Sequence, residues 1–170
     1  MPLLRGRRDD GGTKYRMREK LFSIGDDFWI ENEEGERAFK VDGKALRIRQ
    51  TFVLEDPSGA ELFSIQEKKL SVRDKMEIER DGHTVATVKK GLVSPLRDRF
   101  SIDVEGGEDF EAHGNVVDHE YKIERGGDQV AEVSKRWFRV RDTYGIEIAP
   151  GQDEALILAV TVCIDQMGRG

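Results

Sequence analysis

An apolar-x-aliphatic triplet recurs along the chain: Phe28-Trp29-Ile30, Phe52-Val53-Leu54, Met76-Glu77-Ile78, Phe100-Ser101-Ile102, Tyr121-Lys122-Ile123 and Tyr144-Gly145-Ile146. Successive triplets are 24, 24, 24, 21 and 23 residues apart. A glycine follows each of the first five within a few residues: Gly35, Gly59, Gly82, Gly106 and Gly126. Its neighbours are rich in Asn, Asp, Glu, Pro and Ser, the chemistry of a hairpin turn in which glycine supplies a positive φ. Beyond the turn, small or apolar residues two apart return: Phe39 and Val41, Phe63 and Ile65, Ala86 and Val88, Phe110 and Ala112, Ala131 and Val133. Lys40, Ser64, Thr87, Glu111 and Glu132 stand between them. A spacing of two puts each pair on one sheet face, so the pattern predicts a meandering antiparallel sheet with one buried face. A period near 24 also suits a propeller or a solenoid. Two strands per unit argue against the propeller, whose blades need four.

The sixth unit departs from the rule. From Asp153 to Asp165 the alternation disappears, and residues 155–164 are apolar except Thr161. Asp153 suits an N-cap and Glu154 the first turn of a helix. A helix apolar on every side must be buried on every side. About 13 residues at 1.5 Å each span roughly 20 Å, too short for a bilayer and suited to the inside of a small barrel. The β-branched residues in the run keep a buried strand as the alternative. Residues 13–18 alternate and add one strand, the five hairpins add ten, and Tyr144–Ile148 adds one. The expected fold is mainly β: about twelve antiparallel strands closed into a barrel around a hydrophobic helix spanning about 153–166. Closure removes the sheet edges, and the helix fills the lumen.

The 170 residues suit one domain. Charged residues reach 36%, above the roughly 25% norm, so a densely charged, soluble surface is expected. Residues 1–20 hold seven cations and three anions, leaving a charge of −10 for the rest of a chain whose net charge is −6. That balance argues against a nucleic-acid binder. Residues 1–12 lack an apolar period and are expected to form a flexible basic arm ahead of a single domain over 13–170. One cysteine, Cys163, excludes a disulfide framework and a cysteine-rich zinc site. No apolar run approaches the roughly 20 residues of a membrane span, and none follows Met1 as a signal peptide would require. A reduced, cytoplasmic protein is the expectation.

The chain resembles the LURP-one-related family of the tubby-like C-terminal domain superfamily. The resemblance covers residues 13 to about 167. It rests on the run from Met17 to Phe28, on Val41-Asp42-Gly43-Lys44-Ala45 and on Val85-Ala86-Thr87-Val88-Lys89-Lys90. Gly114-Asn115, Asp118-His119-Glu120-Tyr121, Val133-Ser134-Lys135-Arg136-Trp137, Arg141-Asp142-Thr143-Tyr144-Gly145 and the closing apolar run complete it. It implies a twelve-stranded barrel around a central helix. Tubby proteins bind phosphoinositide head groups and phospholipid scramblases share the fold, so the resemblance also implies an anionic lipid head group as a ligand class. Their lipid-binding cations cannot be matched to numbered positions here.

The repeat gathers cations in one phase. Lys44, Lys68, Lys69, Lys89, Lys90, Lys135 and Arg136 follow the return strands, and Arg73, Arg97 and Arg141 precede triplets within Arg-Asp pairs. Equivalent positions of a repeat fall at one end of a barrel, and such a rim suits phosphate, with Arg binding bidentately and Lys as a point charge. The competing reading is solvated loop charge, neutralised by Asp74, Asp98 and Asp142. His113 and His119 lie six apart, roughly 20 Å in an extended strand, too far for one metal unless residues 114–118 turn back; hydrogen-bonding roles are expected, and no metal site. His83, just after a hairpin glycine, is expected to be exposed. Cys163 is expected to be an inert core thiol, and Trp29 and Trp137 either packed aromatics or exposed anchors. No phosphate-binding glycine loop, nucleophile elbow or zinc-protease helix occurs, and no catalytic residue or cofactor is expected. The expected function is a non-enzymatic binding or regulatory module for an anion, cytoplasmic and peripheral to a membrane. The alternative is a protein-interaction domain with no small ligand.

Overall fold

In a computed structural model the described residues are 12–18, 27–43, 51–68, 75–91, 98–138 and 143–168. Twelve strands run antiparallel in chain order: β1 Thr13–Arg18, β2 Asp27–Asn32, β3 Arg37–Gly43, β4 Thr51–Glu55, β5 Glu61–Lys68, β6 Lys75–Arg80, β7 His83–Lys90, β8 Asp98–Val104, β9 Phe110–Asn115, β10 Glu120–Arg125, β11 Asp128–Ser134 and β12 Thr143–Ile148. Each pairs with the next, and β12 closes on β1 from Thr13↔Ile148 to Arg18↔Thr143. The fold is the closed barrel that the hairpin repeat predicts.

The first and third residues of all six triplets are buried, which is the lumen face of a period-2 strand. The turn glycines Gly35, Gly59, Gly82, Gly106 and Gly126 adopt positive φ. The pairing register shifts right after the triplet in four hairpins, at Ile30/Glu31, Leu54/Glu55, Ile78/Glu79 and Ile123/Glu124. Bulges at one phase of a repeat add local twist in the same sense each time, which helps a sheet curl closed.

The lumen holds one helix, α1, Glu154–Gly168, with residues 157–165 and Met167 buried. The apolar run is therefore a helix and not a buried strand. Asp153 caps it by accepting a hydrogen bond from the Leu156 amide at 3.2 Å. Tyr15 of β1 donates to the Glu154 carboxylate at 2.5 Å, tying the helix start to the wall. Burial, and after it the Glu154 bond and charge, push the Tyr15 phenol well above its ordinary value. Thr161, the polar residue inside the run, satisfies its hydroxyl on the Ile157 carbonyl at 2.9 Å.

Candidate functional site at one end of the barrel

The barrel has two unlike ends. The hairpin turns meet where α1 begins. The other connections join strands where α1 ends: β7 stops at Lys90, β8 starts at Asp98, β9 stops at Asn115, β11 stops at Ser134 and β12 starts at Thr143.

Lys68, Lys89 and Lys90 are the last residues of β5 and β7, not residues of the loops beyond them. Register then sorts them. Lys68 pairs with Lys75, and Lys75 pairs with Lys89, so three lysines stand side by side across β5, β6 and β7. Lys75, within β6, is the member that the repeat phase did not pick out. Lys89 is exposed and 3.0 Å from Asp103. Lys90 belongs to the opposite face: its ammonium donates to the Met167 carbonyl at 3.4 Å. It thus serves the last turn of α1, where carbonyls lack partners and the dipole is negative.

Lys135 and Arg136 are exposed and open a short 3₁₀ turn, Lys135–Trp137. Ser134 builds it, accepting from the Arg136 amide at 3.1 Å while its hydroxyl donates to Glu120 at 3.1 Å. Arg136 also reaches Glu132 at 3.3 Å. Asp98 accepts from the Val116 amide at 3.3 Å, fastening the 116–119 turn. Lys44, Lys69, Arg73, Arg97 and Arg141, with Asp74 and Asp142, lie outside the described residues.

Inside this end sits a buried polar cluster that sequence reasoning missed. Asp165 of α1, 3% exposed, accepts hydrogen bonds from Tyr144 of β12 and, at 3.4 Å, from Tyr121 of β10. Burial first, then the Asp165 charge and hydrogen bond, raise the Tyr121 phenol well above its ordinary value. His119, buried in the 116–119 turn with φ at 55°, stacks on Tyr144 with ring centres 4.0 Å apart. Its Nδ1 lies 3.7 Å from Asp165. The turn does fold residues 114–118 back, but His113 goes elsewhere, to Glu124 at 3.3 Å. Among the described residues no group of His, Cys, Asp and Glu could hold a metal. Cys163 is fully buried, and burial pushes its thiol far up.

The tryptophans are half-buried under cations. Arg37 and Lys40 cover Trp29 at 4.8 and 5.9 Å, and Arg136 and Lys14 cover Trp137 at 5.0 and 5.7 Å. Trp137 and Phe138 lie on the outer wall over Gly145, where a Cβ would stand 2.7 Å from the Phe138 ring. That contact explains the glycine inside the last triplet. His83 is exposed, as its place beside the turn glycine predicts.

Fold and site together define a small antiparallel barrel threaded by its own C-terminal helix, with a polar, lysine-bearing end. The chain belongs to the LURP-one-related family, whose model matches residues 13–165. The uncharacterized protein YxjI of Bacillus subtilis is 30% identical over 151 residues, covering 89% of this chain and 91% of that one. A protein of Arabidopsis thaliana with a known X-ray structure shares the fold at a TM-score of 0.70 and 19% identity, covering 94% of this chain and 93% of that one.

Proposed function

We propose that the protein is a non-enzymatic binding module that engages phosphate-bearing anions, such as phospholipid head groups, at the lysine-bearing end of its barrel. It acts in the cytoplasm, at the periphery of an anionic membrane. The observation that carries this reading is the register Lys68–Lys75–Lys89. Like charges directly opposed on neighbouring strands are destabilising. Lys89 meets Asp103 at 3.0 Å, and a bound anion would add to that neutralisation along the row.

Co-sedimentation with phosphatidylserine-containing vesicles across a salt series tests the reading. Binding by the parent protein should fade as ionic strength rises. The triple variant Lys68→Glu, Lys75→Glu, Lys89→Glu should lose it while keeping its melting curve. Unchanged binding by that variant overturns the assignment. Lys90 is left intact, because reversing it would disturb the helix end.

A further inference from the structure

Strand β1 is shared unequally between its two neighbours. It pairs with β12 at every residue, from Thr13↔Ile148 to Arg18↔Thr143. It pairs with β2, the next strand in sequence, at two positions, Tyr15↔Asn32 and Arg16↔Glu31. Each of the other ladders holds four to six pairs. Side chains repeat the imbalance. On the C-terminal side Tyr15 bonds Glu154 of α1, and Lys14 and Arg16 lie over the Trp137 and Phe138 rings at 5.7 and 5.9 Å. Gly12 packs so closely on the Ile148 carbonyl that no side chain would fit. Across the seam to β2 stand the Arg16–Glu31 ion pair and an edge-on contact of Tyr15 with Phe39 of β3 at 5.8 Å. We infer that the barrel opens sideways at the β1–β2 seam, with β1 staying on β12 and α1 while β2 moves with β3, and that the Arg16–Glu31 pair is the clasp.

The ladder stops where β2 changes register with β3. The next rung would join Met17 to Ile30, and the β2–β3 pairing shifts between Ile30 and Glu31. A bulge adds local twist to the strands that carry it. Beyond that point the seam is closed from the lumen side by Met17 and Ile30, both fully buried in the core. Opening therefore breaks two rungs, one half-exposed ion pair and a strip of apolar packing, and leaves eleven ladders intact. Local openings of this size lie well below global unfolding in free energy. Each opening brings Met17, Ile30 and the flank of the lumen into reach, and each closing hides them again. The fold thus holds a gated apolar strip, a device that is independent of the lysine row and of the binding proposed above.

Cys163 is the sole cysteine, so Cys163→Ala gives a background for single-cysteine reporters. Met17→Cys and Ile30→Cys flank the seam, and Ile146→Cys marks the lumen face of β12; all three native side chains are fully buried. Iodoacetamide labelling is followed from zero to low urea, beside each variant's own urea melt. Met17→Cys and Ile30→Cys should label faster than global unfolding allows, at rates nearly flat in low urea because little surface is exposed. Ile146→Cys should label only through global unfolding. Adding Glu31→Gln should speed the two seam reporters by up to about fivefold, the range for a part-exposed ion pair. Glu111→Gln, which breaks the distant Arg99–Glu111 pair, should leave them unchanged. Seam reporters that label only as their melts predict overturn the opening. Ile146→Cys labelling as fast as Met17→Cys means that β1 peels from β12, and overturns the assignment to this seam. Seam rates unmoved by Glu31→Gln overturn the clasp. Where a core cysteine prevents folding, native-state hydrogen exchange of the unsubstituted protein decides. Amides bonded across β1–β2 should then exchange through a low-urea opening, and those bonded across β1–β12 only on global unfolding; exchange of both together overturns the inference.

Discussion

Asp165 is a buried carboxylate that follows an apolar run in α1, and two tyrosines of the wall meet it. The first four triplets open with Phe28, Phe52, Met76 and Phe100, whereas the last two open with Tyr121 and Tyr144. Those two hydroxyls are the ones that reach Asp165. The signal was present in the sequence as a change from Phe to Tyr at one repeat phase. It was missed because nothing in a single strand says which hydroxyl will find a partner across a lumen. The arrangement has a pH consequence. Folding raises the phenols of Tyr121 and Tyr15 above their ordinary value, which is about 10. Below that pH both states hold the proton and the stabilisation is complete. As pH climbs past it, the unfolded chain ionises first, and stability falls until the folded phenols titrate too. Urea midpoints measured from about pH 8 to 11 should therefore drop at the alkaline end. In Tyr15→Phe, Tyr121→Phe that drop should flatten. An equally steep fall in the double variant would mean that the decline arises elsewhere.

Among the elements, the hairpins were the most legible and the bulges the least. Turn glycines, alternating return strands and the switch to an uninterrupted apolar run each follow from local rules, and all six triplets face the lumen. An acidic residue follows every triplet: Glu31, Glu55, Glu79, Asp103, Glu124 and Glu147. Four of these mark a register shift, yet a lone glutamate reads as an outward strand residue, so pairing geometry was needed to reveal the bulge. The rim lysines illustrate the same gap. Repeat phase placed them near a strand end, but only the register separates Lys89 from Lys90 and brings in Lys75. Helix α1 supplies the test at this scale. Leu158 is fully buried between wall and helix, and an aspartate there would have no partner for its charge. Leu158→Asp should yield no cooperative thermal transition. Leu158→Ala should fold with a loss of about 2–5 kcal/mol. A Leu158→Asp chain that melts like the parent would contradict a helix enclosed on all sides.

Closure is a property of the whole molecule, and it depends on its first strand. β1 pairs along its full length with β12, Thr13 meeting Ile148 and Arg18 meeting Thr143, and also meets β2 at Tyr15↔Asn32 and Arg16↔Glu31. Every other pairing joins strands that are neighbours in sequence. One contact of very long range therefore converts an open meander into a barrel, and its loop-closure entropy comes late and slowly. Without β1 the sheet would have two edges at β2 and β12. The helix would lose Met17 and Tyr15 from its wall, both buried, and with Tyr15 the tie at Glu154. Removing residues 1–18 should therefore do more than subtract one strand's share of stability. Far-ultraviolet circular dichroism should still report strand, while the sharp thermal transition disappears and a hydrophobic dye binds. A synthetic peptide spanning Gly12–Arg18, added in trans, should restore the transition in a concentration-dependent way, because it binds only the closed form. A truncated chain that melts sharply at the parent temperature, with no response to the peptide, would show that the meander and helix are stable without closure.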